Sequence, residues 1–326
     1  MLFLTPYIIR RLGLLISVID IGSNSIRLLV AKIKDGDIKT VYSDRFVAKL
    51  GQSNSANLLD EKKILNSLQG IEKYKEKSLK LGAKKIYAFA TSAVREASNG
   101  DIFIAEVNKM GIECSIISGE KEAELSFKGA AIGLNIEKFI MLDLGGGSLE
   151  LCYKNKEGIK GNSYKIGAVR YTNQFIKSDP PQQRELKLLK AKLKQDLDYI
   201  KTKTDIEVRN LPLVAVGGTA FSLAAIFKGV QHQAHQEEKI VNIKMPISWL
   251  KELTTKLENV NILERQKILG AHKDRAEIIV AGANILLTIT QGLGYNVLLV
   301  TNGDLRQGFI KENCRGVEQS GSSSGS

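Results

Sequence analysis

Apolar runs that end in a single acid and a glycine turn recur along this chain. One such stretch is MLDLGGGSLEL, residues 141–151, and another is ISVIDIGSNSIRLL, residues 16–29. In both, an apolar run leads into an acid, Asp143 or Asp20, and then into glycine, two small or polar residues and serine. A repeat of this kind indicates duplicated domains. The pattern predicts an α/β protein whose two related domains face one another across a cleft.

The spacing of apolar positions predicts the elements of each half. In the first half it predicts a β meander over residues 15–50, a helix over 60–80, and then alternating strands and helices. The second half repeats the scheme, and its long helix over 183–203 has leucines on one face and lysines on the other. Such a helix packs one face on a core and leaves the other in solvent.

The domain limits follow from the repeat. Residues 14–120 are predicted to form the first domain and residues 121–318 the second, although the last helix could pack back on the first. Residues 1–13 are interpreted as an extension of uncertain value, for which an upstream start is one explanation. Arg10 and Arg11 interrupt the apolar N-terminal stretch and no basic region precedes it, which is the wrong order for a signal peptide. Residues 319–326 have the composition of a Gly/Ser linker.

Two further strand ends lead into polar turns. The stretch LVAVGGTAFSLAAI, residues 213–226, runs into Gly217, Gly218 and Thr219, where a helix can begin. The stretch NVLLVTNGDLRQGF, residues 296–309, forms a similar junction. Ligands of open α/β sheets bind beyond the carboxyl ends of strands, so these turns are candidate ligand contacts.

The glycine turn after Asp143 is suited to a phosphate. Gly145, Gly146 and Gly147 have no Cβ, so a ligand can approach the backbone, and successive N–H groups form an anion site. An acid beside such a site is expected if a divalent cation lies between them, because Mg²⁺ binds carboxylate and phosphate oxygens together. A plain tight hairpin is the alternative, since Gly-Gly often marks one.

Composition limits the partners. The chain has 326 residues and a formal net charge of +12, which favours an anionic partner such as polyphosphate, a nucleotide, nucleic acid or a membrane surface. Aromatic residues make up only 6% of the chain, which argues against a single-stranded nucleic acid partner. The apolar N-terminal stretch is too short between its charges to predict a membrane span. Three scattered cysteines fit a reducing cytoplasm better than a disulfide framework.

The stretch ISGEKEAELSF, residues 117–127, carries candidate acids. Ser118 or Gly119 can cap a helix in which Glu120 and Glu124 share a face and Glu122 points elsewhere. An acid in this first turn could be a general base. From the spacing alone, a favourable charge at a helix N-terminus is the preferred interpretation.

A histidine pair forms another candidate site. His232 and His235 are three residues apart, which could place two metal ligands on one helix face. The sequence supplies no further ligand with an obvious role, so a surface turn is the preferred interpretation.

Six stretches taken in order resemble one known family. They are VIDIGSNSIRLLV, ATSAVREA, ISGEKEAEL, MLDLGGGSLEL, AVGGTA and ERQKILGAHKDRAEIIVAGA, and together they cover roughly residues 16–315. The ordered set is similar to the exopolyphosphatase/guanosine pentaphosphate phosphohydrolase (Ppx/GppA) family of the actin, sugar kinase and Hsp70 superfamily. The resemblance implies two ribonuclease H-like, actin-like ATPase domains and a phosphoric anhydride hydrolase.

The resemblance also implies residue roles. Glu122, the acid before Ala in the SGxxEA motif, would be the catalytic base, and Arg95 would stabilise charge. Asp143 would hold Mg²⁺ or Mn²⁺, with Glu150 as a second metal or water ligand. Phosphate oxygens would be bound by residues of the three turns, namely Ser23, Asn24, Gly145, Gly146, Gly147, Ser148, Gly217, Gly218 and Thr219.

Several functions remain open at this stage. The first is a cytoplasmic exopolyphosphatase that hydrolyses terminal phosphate by metal-assisted attack of water, and the second is a guanosine pentaphosphate 5′-phosphohydrolase. A non-catalytic sensor or an ATP-dependent kinase of the same superfamily is the alternative from another class. A homodimer is also left open, and no nucleic acid or membrane partner is expected.

The sequence departs from the family pattern at two places. Gln307 stands where the family often has Glu. The chain also ends without the histidine-rich C-terminal domain of longer members, which predicts weaker binding of long polyphosphate.

Overall fold

The structure, a computed structural model, describes most of the chain. The described residues are 14–34, 36–52, 57–132, 134, 136, 138–203, 210–232 and 239–319. The extension predicted at residues 1–13, residues 320–326 of the predicted tail, and His235 lie outside them. The chain folds into two compact units.

The first unit contains a five-stranded sheet. Its strands are β1 (Leu14–Ile21), β2 (Ser25–Lys34), β3 (Asp37–Val47), β4 (Lys85–Ala90) and β5 (Glu113–Ile116). Its helices up to residue 132 are α1 (Glu61–Lys80), α2 (Ser92–Arg95), α3 (Gly100–Lys109) and α4 (Gly119–Ala130). The sheet order is β3-β2-β1-β4-β5, in which β1 to β3 form an antiparallel meander and β4 and β5 run parallel to β1.

The second unit contains a six-stranded sheet. Its strands are β6 (Ile140–Leu144), β7 (Leu149–Asn155), β8 (Gly158–Tyr164), β9 (Leu213–Val216), β10 (Ile243–Pro246) and β11 (Val297–Val300). Its helices are α5 (Ala168–Phe175), α6 (Gln183–Lys203), α7 (Gly218–Phe227), α8 (Ile247–Glu258), α9 (Ile262–Leu269), a 3-10 helix (Gly270–Arg275) and α10 (Ile279–Gly292). The sheet order is β10-β11-β9-β6-β7-β8.

The two sheets share one topology. Strands β6, β7 and β8 form an antiparallel meander, and β9 runs parallel to β6 as β4 does to β1. Strand β11 then runs parallel to β9 as β5 does to β4, and β10 is an antiparallel addition at the edge. The repeat in the sequence is therefore a repeat in the fold, which confirms the predicted class of two related α/β units.

Apolar side chains from strands and helices meet in each unit. In the first unit, α1 buries Ile71 and Tyr74 in a cluster with Ile19 and Leu28 of the sheet. In the second, the leucines on one face of α6 are buried, and its lysines remain on the other face. Among the described residues, no helix combines the length and the apolar character that crossing a membrane requires.

The boundary between the two units lies at a different residue from the predicted domain limit. The last helix, α11 (Leu305–Gln319), belongs to the first unit, and so does α4, so the division falls after Ile132 rather than after residue 120. A Cβ added to Gly308 of α11 would lie 1.8 Å from the carbonyl oxygen of Leu125 in α4, so the two backbones are in close contact. Amphipathic spacing gives the apolar face of α4 but not the helix that covers it.

Candidate active site

The first unit brings three turns to one edge of its sheet. Strands β1, β4 and β5 are parallel and in register, with Ile21 beside Ala90 and Ala90 beside Ile116. Because their carboxyl ends lie side by side, the turn after β1, the start of α2 and the start of α4 meet at that edge. These segments carry four of the predicted site residues, namely Ser23, Asn24, Arg95 and Glu122.

An ion pair joins two of those residues. Arg95 Nη1 donates to Glu122 Oε2 at 2.9 Å and also to the carbonyl oxygen of Ile117 at 2.9 Å. Glu122 lies in the first turn of α4 and is only 9% exposed. The hydroxyl of Ser118 caps this helix by accepting from Lys121 N at 3.1 Å. The cap and the arginine therefore fix the position of the Glu122 carboxylate.

The neighbouring acid Glu120 has a different environment. Its side chain is exposed, and hydrogen bonds from its own backbone N–H and from Ser118 hold its pKa below the ordinary value. Those are the properties of an acid that stabilises a helix N-terminus. The two sequence interpretations of this stretch therefore apply to different residues: Glu120 suits the structural role, and buried Glu122 suits chemistry.

The turn after β1 has its carbonyl groups engaged. Gly22 N donates to Ser25 O at 3.2 Å, and the carbonyl oxygens of Ser23 and Asn24 accept from backbone amides of residues 48–51. The Asn24 Nδ2 group is buried and has no hydrogen-bond partner among the described residues. A buried donor without a partner is costly, so this turn suits a ligand with acceptor oxygens such as phosphate.

The glycine turn after β6 in the second unit is built in the same way. Gly145 N donates to Ser148 O at 3.0 Å, and the carbonyl oxygens of Gly145, Gly146 and Gly147 accept from residues 168–170 at the start of α5. Within the described part of the chain, the amides of Gly146 and Gly147 donate to no protein acceptor. Because its carbonyls are engaged by α5, the turn is compatible with the anion site that the sequence predicts, in which its N–H groups would donate to the ligand.

A row of polar side chains crosses the second sheet beside this turn. Asp143 of β6 is paired with Glu150 of β7, and Glu150 with Ser163 of β8. Ser163 Oγ donates to Glu150 Oε1 at 2.7 Å, and Glu150 is only 1% exposed. Like charges directly opposite in a sheet are destabilising, so a cation bound beside the two carboxylates would stabilise this pair.

The next strand end contacts the same acid. Gly217, after β9, has φ 89° and ψ 164°, a conformation that is essentially restricted to glycine. A Cβ at this position would lie 2.6 Å from Asp143 Oδ1, and one at Gly218 would lie 1.9 Å from Nη2 of buried Arg275. Thr219 is buried in the first turn of α7. The structure therefore brings Gly217 to Asp143, and Gly218 to a buried guanidinium.

The donors in the second unit fit a magnesium ion. Mg²⁺ is held by one or two carboxylates together with substrate phosphates and waters. Burial, followed by the charges of Glu150 and Asp143, raises the pKa of the Cys152 thiol. The pairing of Asp143 with Glu150 places both carboxylates on the same face of the sheet. No group of three or more His, Cys, Asp or Glu side chains among the described residues forms an all-protein metal site. Asp143 and Glu150 together offer the two carboxylates that such an ion takes.

The histidine and cysteine candidates are not part of the groups of site residues in the two units. His232 lies in an exposed turn, as the sequence interpretation preferred. Cys114 and Cys152 are free and buried, and burial raises the pKa of Cys114 to about 12. The predicted site residues thus form two sets, one in each unit.

Sequence reasoning missed two arginines. Arg27 binds Asp20 through Nε at 2.9 Å and Nη2 at 2.6 Å, and Arg275 lies against Gly218. Arg27 is paired with Asp20 across β1 and β2, so only the strand register could have indicated this contact. Arg275 lies in the stretch ERQKILGAHKDRAEIIVAGA, which was recognised as a motif but gave no role to any of its residues.

Comparison with known proteins decides the family. Residues 29–315 match the Ppx/GppA phosphatase family. This chain belongs to that family. Family membership confirms the resemblance carried by the six motifs, and it confirms the predicted enzyme class, a phosphatase.

Relatives of this Ppx/GppA phosphatase differ in length. The bifunctional 3-dehydroquinate synthase/phosphatase of Fusobacterium nucleatum subsp. nucleatum is 33% identical over 322 residues, which cover 92% of this chain and 46% of that protein. The chain therefore spans about half the length of that relative. Exopolyphosphatase 2 of Mycobacterium tuberculosis is 28% identical over 311 residues, which cover 90% of this chain and 97% of that protein.

A solved member of the family has the same fold. The crystal structure of the Aquifex aeolicus Ppx/GppA family member matches with a TM-score of 0.76 and 27% sequence identity. The match covers 93% of this chain and 98% of that chain. The two α/β units are therefore the architecture of the Ppx/GppA family.

Proposed function

We propose that this Ppx/GppA phosphatase is an exopolyphosphatase, which uses Mg²⁺ or Mn²⁺ to hydrolyse the terminal phosphate of inorganic polyphosphate. The observation that carries the proposal is the pair of opposed carboxylates, Asp143 and Glu150, beside a glycine turn with its carbonyls engaged. Phosphoryl transfer to water needs positioning and charge neutralisation more than covalent catalysis. The similarity to a whole exopolyphosphatase of Mycobacterium tuberculosis supports the choice of substrate.

In this proposal the second unit holds the metal and phosphate oxygens. Asp143 and Glu150 would hold Mg²⁺, which neutralises phosphate charge when bound. The amides of Gly146 and Gly147, together with Ser148, donate to phosphate oxygens. Gly217 leaves room for the Asp143 carboxylate because it has no Cβ. Gly218 and Thr219 begin α7, whose N-terminal amides favour an anion.

The first unit supplies the base and further phosphate contacts. Glu122 accepts a proton from the attacking water, and Arg95 holds its carboxylate at 2.9 Å in the orientation for that step. The same guanidinium adds positive charge near the phosphate oxygens. The Asn24 side-chain amide, buried without a partner in the described residues, donates to phosphate together with Ser23.

Guanosine pentaphosphate is the alternative substrate, because a relative that is 26% identical over 311 residues is named guanosine-5′-triphosphate,3′-diphosphate pyrophosphatase. A catalytically silent sensor and a kinase of the same superfamily are the alternatives from another class. Glu122 is a buried acid in the first turn of a capped helix, and Arg95 is paired with it. A catalytically silent sensor would have no need of an acid held in this way.

The test is phosphate release from short polyphosphate, long polyphosphate and guanosine pentaphosphate in parallel, with and without Mg²⁺. We expect Mg²⁺-dependent release, fastest with polyphosphate of short to medium length at physiological salt. Faster turnover of guanosine pentaphosphate than of every polyphosphate length would favour the alternative. No release from any of the three substrates would favour the sensor.

A further inference from the structure

A cavity of about 710 Å³ lies in the second unit, apart from the residues assigned to catalysis. It is lined by the end of β8 and the residues after it, by α5 and by α6. Its volume is in the range of ligand pockets. None of its lining residues has been assigned a role by the motifs.

The lining of this cavity is strongly cationic. Lys165, Arg170, Lys192 and Lys203 line it, and Asp196 is its one carboxylate. Asp196 is engaged inside the protein, because it accepts hydrogen bonds from Lys192 and from the hydroxyl of Tyr171. The lining therefore carries four cationic side chains from three separate segments and one carboxylate, and its natural ligand is an anion with several charges.

Two hydrogen bonds connect the cavity to the candidate active site. Ser163 lines the cavity and donates to Glu150 at 2.7 Å. Arg170 also lines it and donates through Nε to the carbonyl oxygen of Gly147 at 2.7 Å. A ligand in the cavity is thus separated from the metal-binding row and the glycine turn by single side chains.

We propose that this cavity is a second binding site for a phosphate-rich anion. The charge of the cavity indicates an anion, and the choice of phosphate rests on the proposed function. Lysine ammonium groups bind phosphate as point charges, and the Arg170 guanidinium adds planar donors. The ligand is either the distal part of a polyphosphate chain or a separate small phosphate anion, and the experiment distinguishes these sources.

The test uses two matched double variants. Lys165→Gln with Lys203→Gln removes two exposed cations that line the cavity. Lys187→Gln with Lys194→Gln removes two exposed cations of α6 that do not line it. All four side chains are exposed, so both proteins should unfold at the wild-type temperature, which circular dichroism would check.

The measurement is equilibrium binding by titration calorimetry, with long polyphosphate and with pyrophosphate as probes, at several salt concentrations. We expect the cavity variant to bind long polyphosphate about tenfold or more weakly than the control variant. Loss of two phosphate contacts should also reduce the slope of log K against log salt by about 1.4. If only long polyphosphate is affected, the cavity holds the distal part of the chain. If a pyrophosphate site is lost as well, it binds a separate anion.

Equal affinities of the two double variants for both probes would overturn the proposal. Calorimetry needs no turnover, so this result is independent of the proposed function. A protein that releases no phosphate from polyphosphate but loses anion binding in the cavity variant would refute the proposed function and keep the second site.

Discussion

The turns after β1 and after β6 are built alike at the level of the backbone. In each, the glycine amide donates to the serine carbonyl three residues later, Gly22 to Ser25 and Gly145 to Ser148. In each, the segment that follows the third strand of the meander donates to the carbonyls of the turn, from residues 48–51 in the first unit and 168–170 in the second. The duplicated fold has therefore kept a glycine turn whose carbonyl groups are held by the segment that follows the meander.

The side chains beside these turns differ in charge. The row across β1, β2 and β3 is Asp20, Arg27 and Arg45, whereas the row across β6, β7 and β8 is Asp143, Glu150 and Ser163. In the first unit, Arg27 neutralises the acid directly. In the second, two carboxylates lie opposite each other. The same backbone position thus carries an internal ion pair in one unit and two acids, the proposed metal ligands, in the other.

This difference indicates a division of labour. We infer that the first unit provides the base, Glu122, and that the second provides the metal site. Four predictions test or refine this comparison, beginning with the largest expected effect.

Replacing the base in the first unit should have the largest effect. Glu122→Gln keeps the shape of the side chain and removes its basicity, which should lower kcat for phosphate release by about 10²–10⁴-fold. Glu120→Gln on the same helix is the matched control and should remain close to wild type, because Glu120 is exposed. A kcat close to wild type in Glu122→Gln would show that Glu122 is not the catalytic base.

Changing the acid row of the second unit should alter metal dependence. Asp143→Asn removes a negative charge that attracts Mg²⁺, so the Mg²⁺ concentration for half-maximal activity should rise by about tenfold, or about 1.4 kcal/mol. A titration of activity against Mg²⁺ measures this. Asp20→Asn, at the matching position of the first unit, should not shift that midpoint. Equal shifts of the Mg²⁺ midpoint in both variants would show that Asp143 and Asp20 do not differ in metal binding.

A smaller effect is expected at the turn that contacts Asp143. Gly217→Ala forces an alanine into a glycine conformation, with its Cβ 2.6 Å from Asp143 Oδ1. We expect it to lower the free energy of unfolding by about 1–3 kcal/mol and to weaken the response to Mg²⁺. Gly82→Ala is the control, since Gly82 has the same φ of 89° and nothing lies within 4 Å of its added Cβ. An unchanged Mg²⁺ response in Gly217→Ala would show that this turn does not influence metal binding by Asp143.

The smallest expected effect concerns the ion pairs between α4 and α11. Burial raises the pKa of Glu312, but hydrogen bonds and charges from Lys121 and Lys128 outweigh it and hold that pKa below the ordinary value. Because the folded-state pKa is the lower one, this stabilisation is complete above the unfolded pKa of about 4.3 and is lost as pH falls through the folded pKa.

Glu312→Gln should therefore lower the free energy of unfolding at pH 7 by less than about 1 kcal/mol, which is seen as a slightly lower melting temperature. The difference in melting temperature between variant and wild type should shrink in acid. The control is Glu106→Gln, which removes an exposed pair with Lys109. Thermal unfolding from pH 7 down to pH 3 measures both. A difference that persists unchanged at pH 3 would exclude the ion pairs as its cause.

Much of the fold follows from the sequence by itself. Each repeat contains an apolar strand, an acid and a glycine turn, and these patterns depend only on local chemistry, so they predict the duplication and the position of the turns. The spacing also predicts helices close to α1 and α6, because a long amphipathic period leaves little ambiguity. Roles for Glu122, Asp143 and Glu150 came from the motifs and remain predictions.

Only the tertiary structure decided which side chains meet. The register of β6 with β7 places Glu150 opposite Asp143, and that of β1 with β2 places Arg27 opposite Asp20. A shift of one residue would reverse the face of every side chain, and register depends on the packing of whole strands. The assignment of α4 and α11 to one unit likewise depends on a backbone contact at Gly308, between residues far apart in the chain. Local patterns carry no information about such distant partners, which is why they appeared only in the folded protein.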